Sequence, residues 1–234
     1  MDPHHLDIVR LAWSRELGLP DDALTAGPDR ATRANQETDT IRFLHLLDTS
    51  AMVGPAWALG RAERLSAREL TEPATLLSLT QDRSARCSGP VTLWFTSEYQ
   101  EPPTGQPPLV SDDRGHVREV ETVCPPDDVT EAHLSSRDRC FTILDDAQQP
   151  VSCAGYDEFQ GFVADVAVLT APQFRGRGLG TRAVGIATDD ALDSGLIAQF
   201  RTPRDASGSR RLSARSGYRE LGTYIEVTIS RSTL

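Results

Sequence analysis

The stretch from Phe162 to Asp193, FVADVAVLT then APQFRGRGLGT then RAVGIATDDALD, constrains this chain more than any other. Phe162 to Leu169 is a near-continuous apolar run broken only by Asp165, the pattern of a strand buried on both faces. Pro172 ends it. Gly176, Gly178 and Gly180 then alternate with other residues and lead into a segment of helical period. There Ala183, Ala187 and Ala191 form a stripe flanked by Val184 and Leu192, and Gly195 supplies a stop. A strand, a glycine turn and a helix make a device for holding phosphate. Without Cβ atoms the loop lets backbone N–H groups approach an anion, and the helix N-terminus adds unpaired donors and partial positive charge. Arg175 and Arg177 add full charges beside it.

Three nucleotide sites share this layout. A P-loop needs a lysine, and the chain contains none. A dinucleotide fingerprint needs a third glycine where Thr181 stands, and too little chain follows for the rest of such a domain. The third is the pyrophosphate loop of acyl-CoA N-acyltransferases, Q/R-x-x-G-x-G/A, which Gln173-Phe-Arg-Gly176-Arg-Gly178 fits. On these residues the chain resembles the GCN5-related N-acetyltransferase (GNAT) family. Gly195 to Arg201 is similar to that family's fifth strand, and Ser209 to Tyr218 to its closing helix and turn. The resemblance covers about residues 117 to 231. It is strongest to a subgroup, common in actinobacteria, that carries an additional N-terminal half and the phrase VLTxPxxRGRGLG.

The resemblance implies a mixed, mostly antiparallel α/β sheet flanked by helices. It also implies acetyl-CoA or another acyl-CoA as co-substrate, and no metal. Transfer would go to an amine by direct attack through a tetrahedral intermediate. By the same resemblance, Val168, Leu169 and Thr170 line the pantetheine, with one N–H aimed at the thioester oxygen. Backbone donors of Arg175, Gly176, Arg177, Gly178, Leu179, Gly180 and Thr181 cradle the pyrophosphate, and Ser209 lies near the pantetheine arm. Many relatives protonate the leaving thiolate with a tyrosine four residues before the closing glycine, and carry an asparagine seven residues before that. Ser213 and Ala206 occupy those places here. Ser213 is a poorer acid than tyrosine and is equally a helix packing position; Tyr218 and Tyr224 are nearby substitutes. For the base, Asp165 leads, followed by Glu158, Asp157 and Glu98. A carboxylate inside an apolar strand needs a raised pKa or a partner, so Asp165 is either a base or one half of an ion pair with arginine.

Composition narrows the partners. The net charge is −10, and all 24 basic residues are arginines interspersed with acids, which argues against a nucleic-acid surface. No apolar run is long enough to span a bilayer and no signal peptide is evident, so the expected location is the cytoplasm, with no membrane partner. Cys87, Cys124, Cys140 and Cys153 lack metal-ligand spacing and read as buried reduced thiols. The expected partner is a small-molecule amine. A protein amine as acceptor and a non-catalytic acyl-CoA sensor are the alternatives, and a homodimer is compatible with the pattern.

Along the chain, Leu6, Val9, Trp13 and Leu17 predict an amphipathic helix over 5–17, stopped by Gly18 and Pro20. Short strands are expected at Thr40–Leu47 and Ala51–Val53, helices after Pro55 and Pro73, and a strand at Val91–Thr96. Glu101 to Pro108 holds four prolines and reads as a loop or linker. It divides an N-terminal α/β half, 1–108, from the acyl-CoA-binding half, 109–234, the first being expected to set acceptor specificity. A long loop inside one continuous structure is the alternative. Val117–Val123 is then expected as the first core strand, Val129–Arg137 as a helix capped by Asp127 and Asp128, and Phe141–Leu144 with Val151–Tyr156 as a hairpin. Of the two helices the family places after its first strand, one is expected to be shortened or lost.

Overall fold

The computed structural model describes residues 1–25, 30–100 and 106–230. In chain order its helices and strands are α1 Pro3–Glu16, β1 Ala31–Ala34, β2 Thr40–Leu46, β3 Thr49–Gly54, α2 Ala56–Ala62, α3 Ala67–Leu70, α4 Pro73–Ser78 and β4 Ala85–Thr96. There follow β5 Leu109–Ser111, α5 Arg114–Val123, α6 Pro126–Ala132, β6 Arg139–Leu144, β7 Pro150–Phe159, β8 Val163–Thr170, α7 Leu179–Asp193, β9 Ile197–Pro203, α8 Ser207–Arg215 and β10 Arg219–Ile229. They form two compact units that interleave along the chain. One takes residues 95–201 and 208–219 with Met1; the other takes residues 2–94, 202–207 and the chain from Glu220.

In the second unit the strand order is β1-β3-β2-β10-β4. β2 and β3 form a tight antiparallel hairpin, and β10 runs antiparallel to β2 from Gly222↔Leu46 to Thr228↔Thr40. The inward residues of these strands, Ile41, Phe43, Met52, Ile225 and Val227, meet Leu70 and Leu76 from α3 and α4 in one buried cluster. α1 starts at Pro3, two residues before the expected position, because Asp2 caps it by accepting the His5 N–H at 2.9 Å. Trp13 of α1 is buried against Tyr224, the ring centroids 5.3 Å apart. β1 and α3 are not among the expected elements. Of these α3 has a sequence signature, the capping box formed by Ser66 and Glu69. β4 begins six residues earlier than the Val91 start read from the β-branched run.

The first unit carries the order β9-β8-β7-β6-β5. β5 to β8 pair antiparallel in sequence, and β9 joins β8 in parallel after the α7 crossover. Three expectations fail here. Val117–Val123 is the C-terminal part of α5 and not a strand; Val117 and Val120 are buried, while Val123 is exposed. The first strand of this unit is the short β5, and both helices, α5 and α6, follow it. Asp127 and Asp128 do not cap a helix at Val129. They lie in the first turn of α6, which Pro126 opens and which stops at Ala132, where His133 takes a left-handed conformation (φ 48°). Of the proline-rich run, residues 101–105 lie outside the described residues. Cys124, Cys140 and Cys153 are buried free thiols, whereas Cys87 is only half-buried. Among the described residues no helix is long and apolar enough to cross a membrane.

Candidate functional site

β8 and its sequel follow the sequence closely. Seven of the eight β8 residues from Val163 are apolar or hydroxylic and pack on both sides, and Pro172 opens a single 3₁₀ turn that takes the chain off the sheet. Gly176 (φ 77°) and Gly178 (φ 80°) then adopt conformations that side-chain-bearing residues rarely reach. A Cβ on either would meet no atom within 4 Å, so both border open space. Gly178 is the N-cap of α7, and no side chain caps that helix. Its first N–H groups therefore face outward from a 15-residue helix, where an anion is stabilised by donors and dipole together. Gly180 serves another end. A Cβ there would lie 3.1 Å from Leu212 Cδ1 of α8 and 3.1 Å from Thr170 Oγ1, so its smallness lets α7, α8 and the end of β8 close together.

The two arginines of the loop differ. Arg175 turns back, donating through Nε to the Thr170 carbonyl at 3.0 Å and through Nη2 to Asp128 of α6 at 2.7 Å. It braces the loop, and its charge is already matched by a carboxylate. Arg177 lies over the Phe174 ring at 5.1 Å and stays exposed.

The paired register between β8 and β9 runs from Val163↔Ile197 to Val166↔Phe200. β8 continues to Thr170 with β7 still paired on its other edge, Ala167↔Gly155 through Thr170↔Ser152. Among the described residues no β9 residue is in register with Ala167 to Thr170, so the strands part there. Alternation puts Leu169 and Ala167 into the core beneath α5 and α6. Val168 and Thr170 face α7 and stay half-buried. Thr170 shares its hydroxyl with Ser152 at 2.9 Å. The structure thus brings Val168, Leu169, Thr170, Arg175 to Thr181 and the α8 residues around Leu212 to one end of the unit.

It does not gather the acid and base candidates there. Ser213 is fully buried and donates to the Ser209 carbonyl at 3.0 Å, one helical turn back. Tyr218 is buried against Phe200, and its hydroxyl is 2.6 Å from Thr188 Oγ1 on α7. Burial pushes its phenol above the ordinary range. Tyr224 sits in the other unit, hydrogen-bonded to Glu226 at 2.8 Å, and burial raises its pKa as well. Glu98 is held by the Met1 ammonium, which lowers its carboxyl below the usual value.

Asp165 has the partner that its apolar strand demanded. It accepts from Gln199 Nε2 at 3.0 Å and from Arg201 Nε at 2.9 Å, with Arg201 Nη2 on its second oxygen. Arg137, itself buried, stands 3.7 Å from the same carboxylate and 3.6 Å from Asp157, and donates to the Asp165 carbonyl. Asp157, Asp165 and Gln199 occupy one row across β7, β8 and β9. Two arginines and two aspartates thus neutralise one another immediately below the point where β8 and β9 part. Glu158, one residue along β7, is exposed, and among the described residues no ion pair engages it. Arg137, Gln199, Arg201 and Thr188 escaped the sequence reading. Each acts through a partner at least 28 positions away, and no local pattern marks them.

A family model described as the acetyltransferase (GNAT) family matches residues 98–218, just over half of the chain. No curated protein sequence matches. Among solved structures, a GCN5-related N-acetyltransferase from Kribbella flavida is 17% identical, covering 80% of this chain and 70% of its own, with a TM-score of 0.48. An acetyltransferase of the GNAT family from Colwellia psychrerythraea is 14% identical, covering 76% and 75%, with a TM-score of 0.49.

Proposed function

Because the chain belongs to the acetyltransferase (GNAT) family, we propose that it moves an acetyl group from acetyl-CoA to the amine of a small molecule. The observation that carries this reading is the coincidence, at one end of β8, of an uncapped helix N-terminus and a strand edge with no in-register neighbour. Acetyl-CoA has a chemical need for both. Its pyrophosphate suits the backbone donors from Arg175 to Thr181, and its pantetheine amides suit the strand edge from Val168 to Thr170. Open space in front of Gly176 and Gly178 leaves room for the phosphates. A main-chain N–H of that edge, held by the β7 pairing behind it, polarises the thioester carbonyl. The amine then forms the C–N bond, the tetrahedral intermediate collapses with cleavage of the C–S bond, and the thiolate takes a proton. With Ser213 and Tyr218 turned inward and Asp165 bound to arginine, water carries the protons in both directions, which suits an acceptor amine of low pKa.

The inward placement of those two hydroxyls also favours a second reading, an acyl-CoA-binding module that does not turn over. Release of free thiol from acetyl-CoA, followed with a chromogenic disulfide across a panel of small amines and peptides, separates the two. Amine-dependent release with small amines supports the transferase. Tight binding with no release in any mixture would leave the binding module, and release with peptides alone would move the acceptor to a protein amine.

A further inference from the structure

Beside the glycine loop lies a cleft of about 630 Å3 that none of the roles above uses. Its walls come from the loop and first turn of α7 (Phe174, Arg177, Leu179, Arg182), from the β6–β7 turn (Asp145, Asp146) and from the apolar residues Leu109, Ile143 and Val151. We propose that this cleft seats the adenosine 3′-phosphate end of acetyl-CoA, so that the protein selects the coenzyme by its 3′-phosphate as well as its thioester. The inference rests on the acetyl-CoA reading above and adds to it a place and a specificity.

Three observations carry it. The first is continuity. Leu179 follows the N-cap Gly178 directly, so the cleft begins where the phosphate-binding donors end. The nucleoside of the coenzyme is joined to its pyrophosphate by a single ribose C–O link and must lie next to that loop. The second is exclusion on the other flank. Leu212 of α8 already approaches Gly180 so closely that an added Cβ would lie 3.1 Å away, and that side of the first turn is filled. The third is chemistry. The volume suits a nucleotide, within the range of roughly 300–1,000 Å3 usual for ligand sites. Phe174 and the apolar wall offer a surface for the purine, and Phe174 carries the Arg177 guanidinium at 5.1 Å. Arg177 and Arg182 supply donors for a phosphate dianion. Asp145 and Asp146 sit on a different element, where a carboxylate can accept from the exocyclic amine of adenine. Asp145 is fixed there because one of its oxygens takes the N–H groups of Ala147 and Gln149, each at 2.9 Å.

Calorimetric titration of acetyl-CoA and of 3′-dephospho-acetyl-CoA tests the assignment. The wild type should bind the dephospho compound about tenfold more weakly, the scale of one lost charge-assisted contact. Arg182→Gln should erase that difference by weakening acetyl-CoA alone, whereas Phe174→Ala should weaken both compounds equally. Equal affinity of the wild type for the two compounds would overturn the proposal and leave the coenzyme reading standing. So would an Arg182→Gln protein that keeps the full tenfold ratio. Failure of the folded wild type to bind either compound would remove the coenzyme reading itself.

Discussion

The glycine loop and the row of charges beneath it lie on one strand and treat polar groups in opposite ways. Around Gly176 and Gly178 the backbone donors are left open, with no side chain to cap them and no atom where a Cβ would go. Around Asp165, five residues before the strand ends, the carboxylate meets two guanidinium groups and an amide, and little is left to offer a substrate. An open cluster costs stability and can recognise a ligand. A closed one spends its hydrogen-bonding capacity on holding β7, β8 and β9 in register below the place where β8 and β9 diverge. Polarity alone therefore does not mark a site; unmet polarity does.

The largest effect that could break this contrast is expected at the open end. Gly178→Glu forces a side chain into φ 80°, at about 1–2 kcal/mol in backbone strain, and sets a negative charge at the helix N-terminus. Repulsion of that charge from a pyrophosphate should lower acetyl-CoA affinity by about 100-fold or more, read by calorimetry on protein shown to be folded. Unchanged affinity would mean that the loop is not where the phosphates lie.

At the closed end the sign changes, with stability falling and binding surviving. Asp165→Ala leaves Arg137 buried without its carboxylate and should cost about 3 kcal/mol in denaturant unfolding, the lower end for a broken buried pair because Arg201 is half-exposed. Acetyl-CoA affinity of the folded variant should stay at the wild-type value. If Asp165→Asn instead kept full stability and lost turnover across the pH range, the carboxylate would be a base after all, and the contrast would collapse.

The smallest effect concerns Tyr218. Tyr218→Phe removes the bond to Thr188 and should cost about 1 kcal/mol at neutral pH. The folded-state pKa of this phenol lies above its ordinary value through burial, so its contribution is fully present below about pH 10 and is lost as pH rises towards the folded value. Wild-type melting temperature should fall steadily above pH 10, and the variant should fall less steeply. Tyr224 titrates in the same direction and leaves a residual slope in both. Equal slopes would show that Tyr218 is reachable by solvent and free to act as an acid.

The loop was legible in the sequence because its requirements are local. Alternate glycines, a preceding apolar run and a following alanine stripe each reflect backbone geometry within a few residues. Asp165 was legible only as a question. An acid in an apolar strand demands a partner, but Arg201 is brought to it by a parallel strand that local pattern cannot register. The misreading of Val117–Val123 came from weighting β-branched content over spacing. Its valines fall at 117, 120 and 123, and two of them face the core on one side of a helix whose N-cap, Asp113, accepts the Gly115 N–H at 2.7 Å. Ser213 shows the limit of motif transfer. It stands at the family's acid position, yet its hydroxyl turns back one helical turn to the Ser209 carbonyl instead of outward.

The pairing of β2 with β10 has a consequence for how the chain is made. Gly222 to Thr228 lie almost a whole synthesis later than the Leu46 to Thr40 strand they complete. At roughly 5–20 residues per second the ribosome needs about ten seconds or more to deliver that partner. Until then β2 presents a bare edge and Ile41 and Phe43 lack the Ile225 and Val227 that later cover them. The nascent protein therefore carries an adhesive strand through most of its own translation, and the stretch that silences it is among the last to emerge.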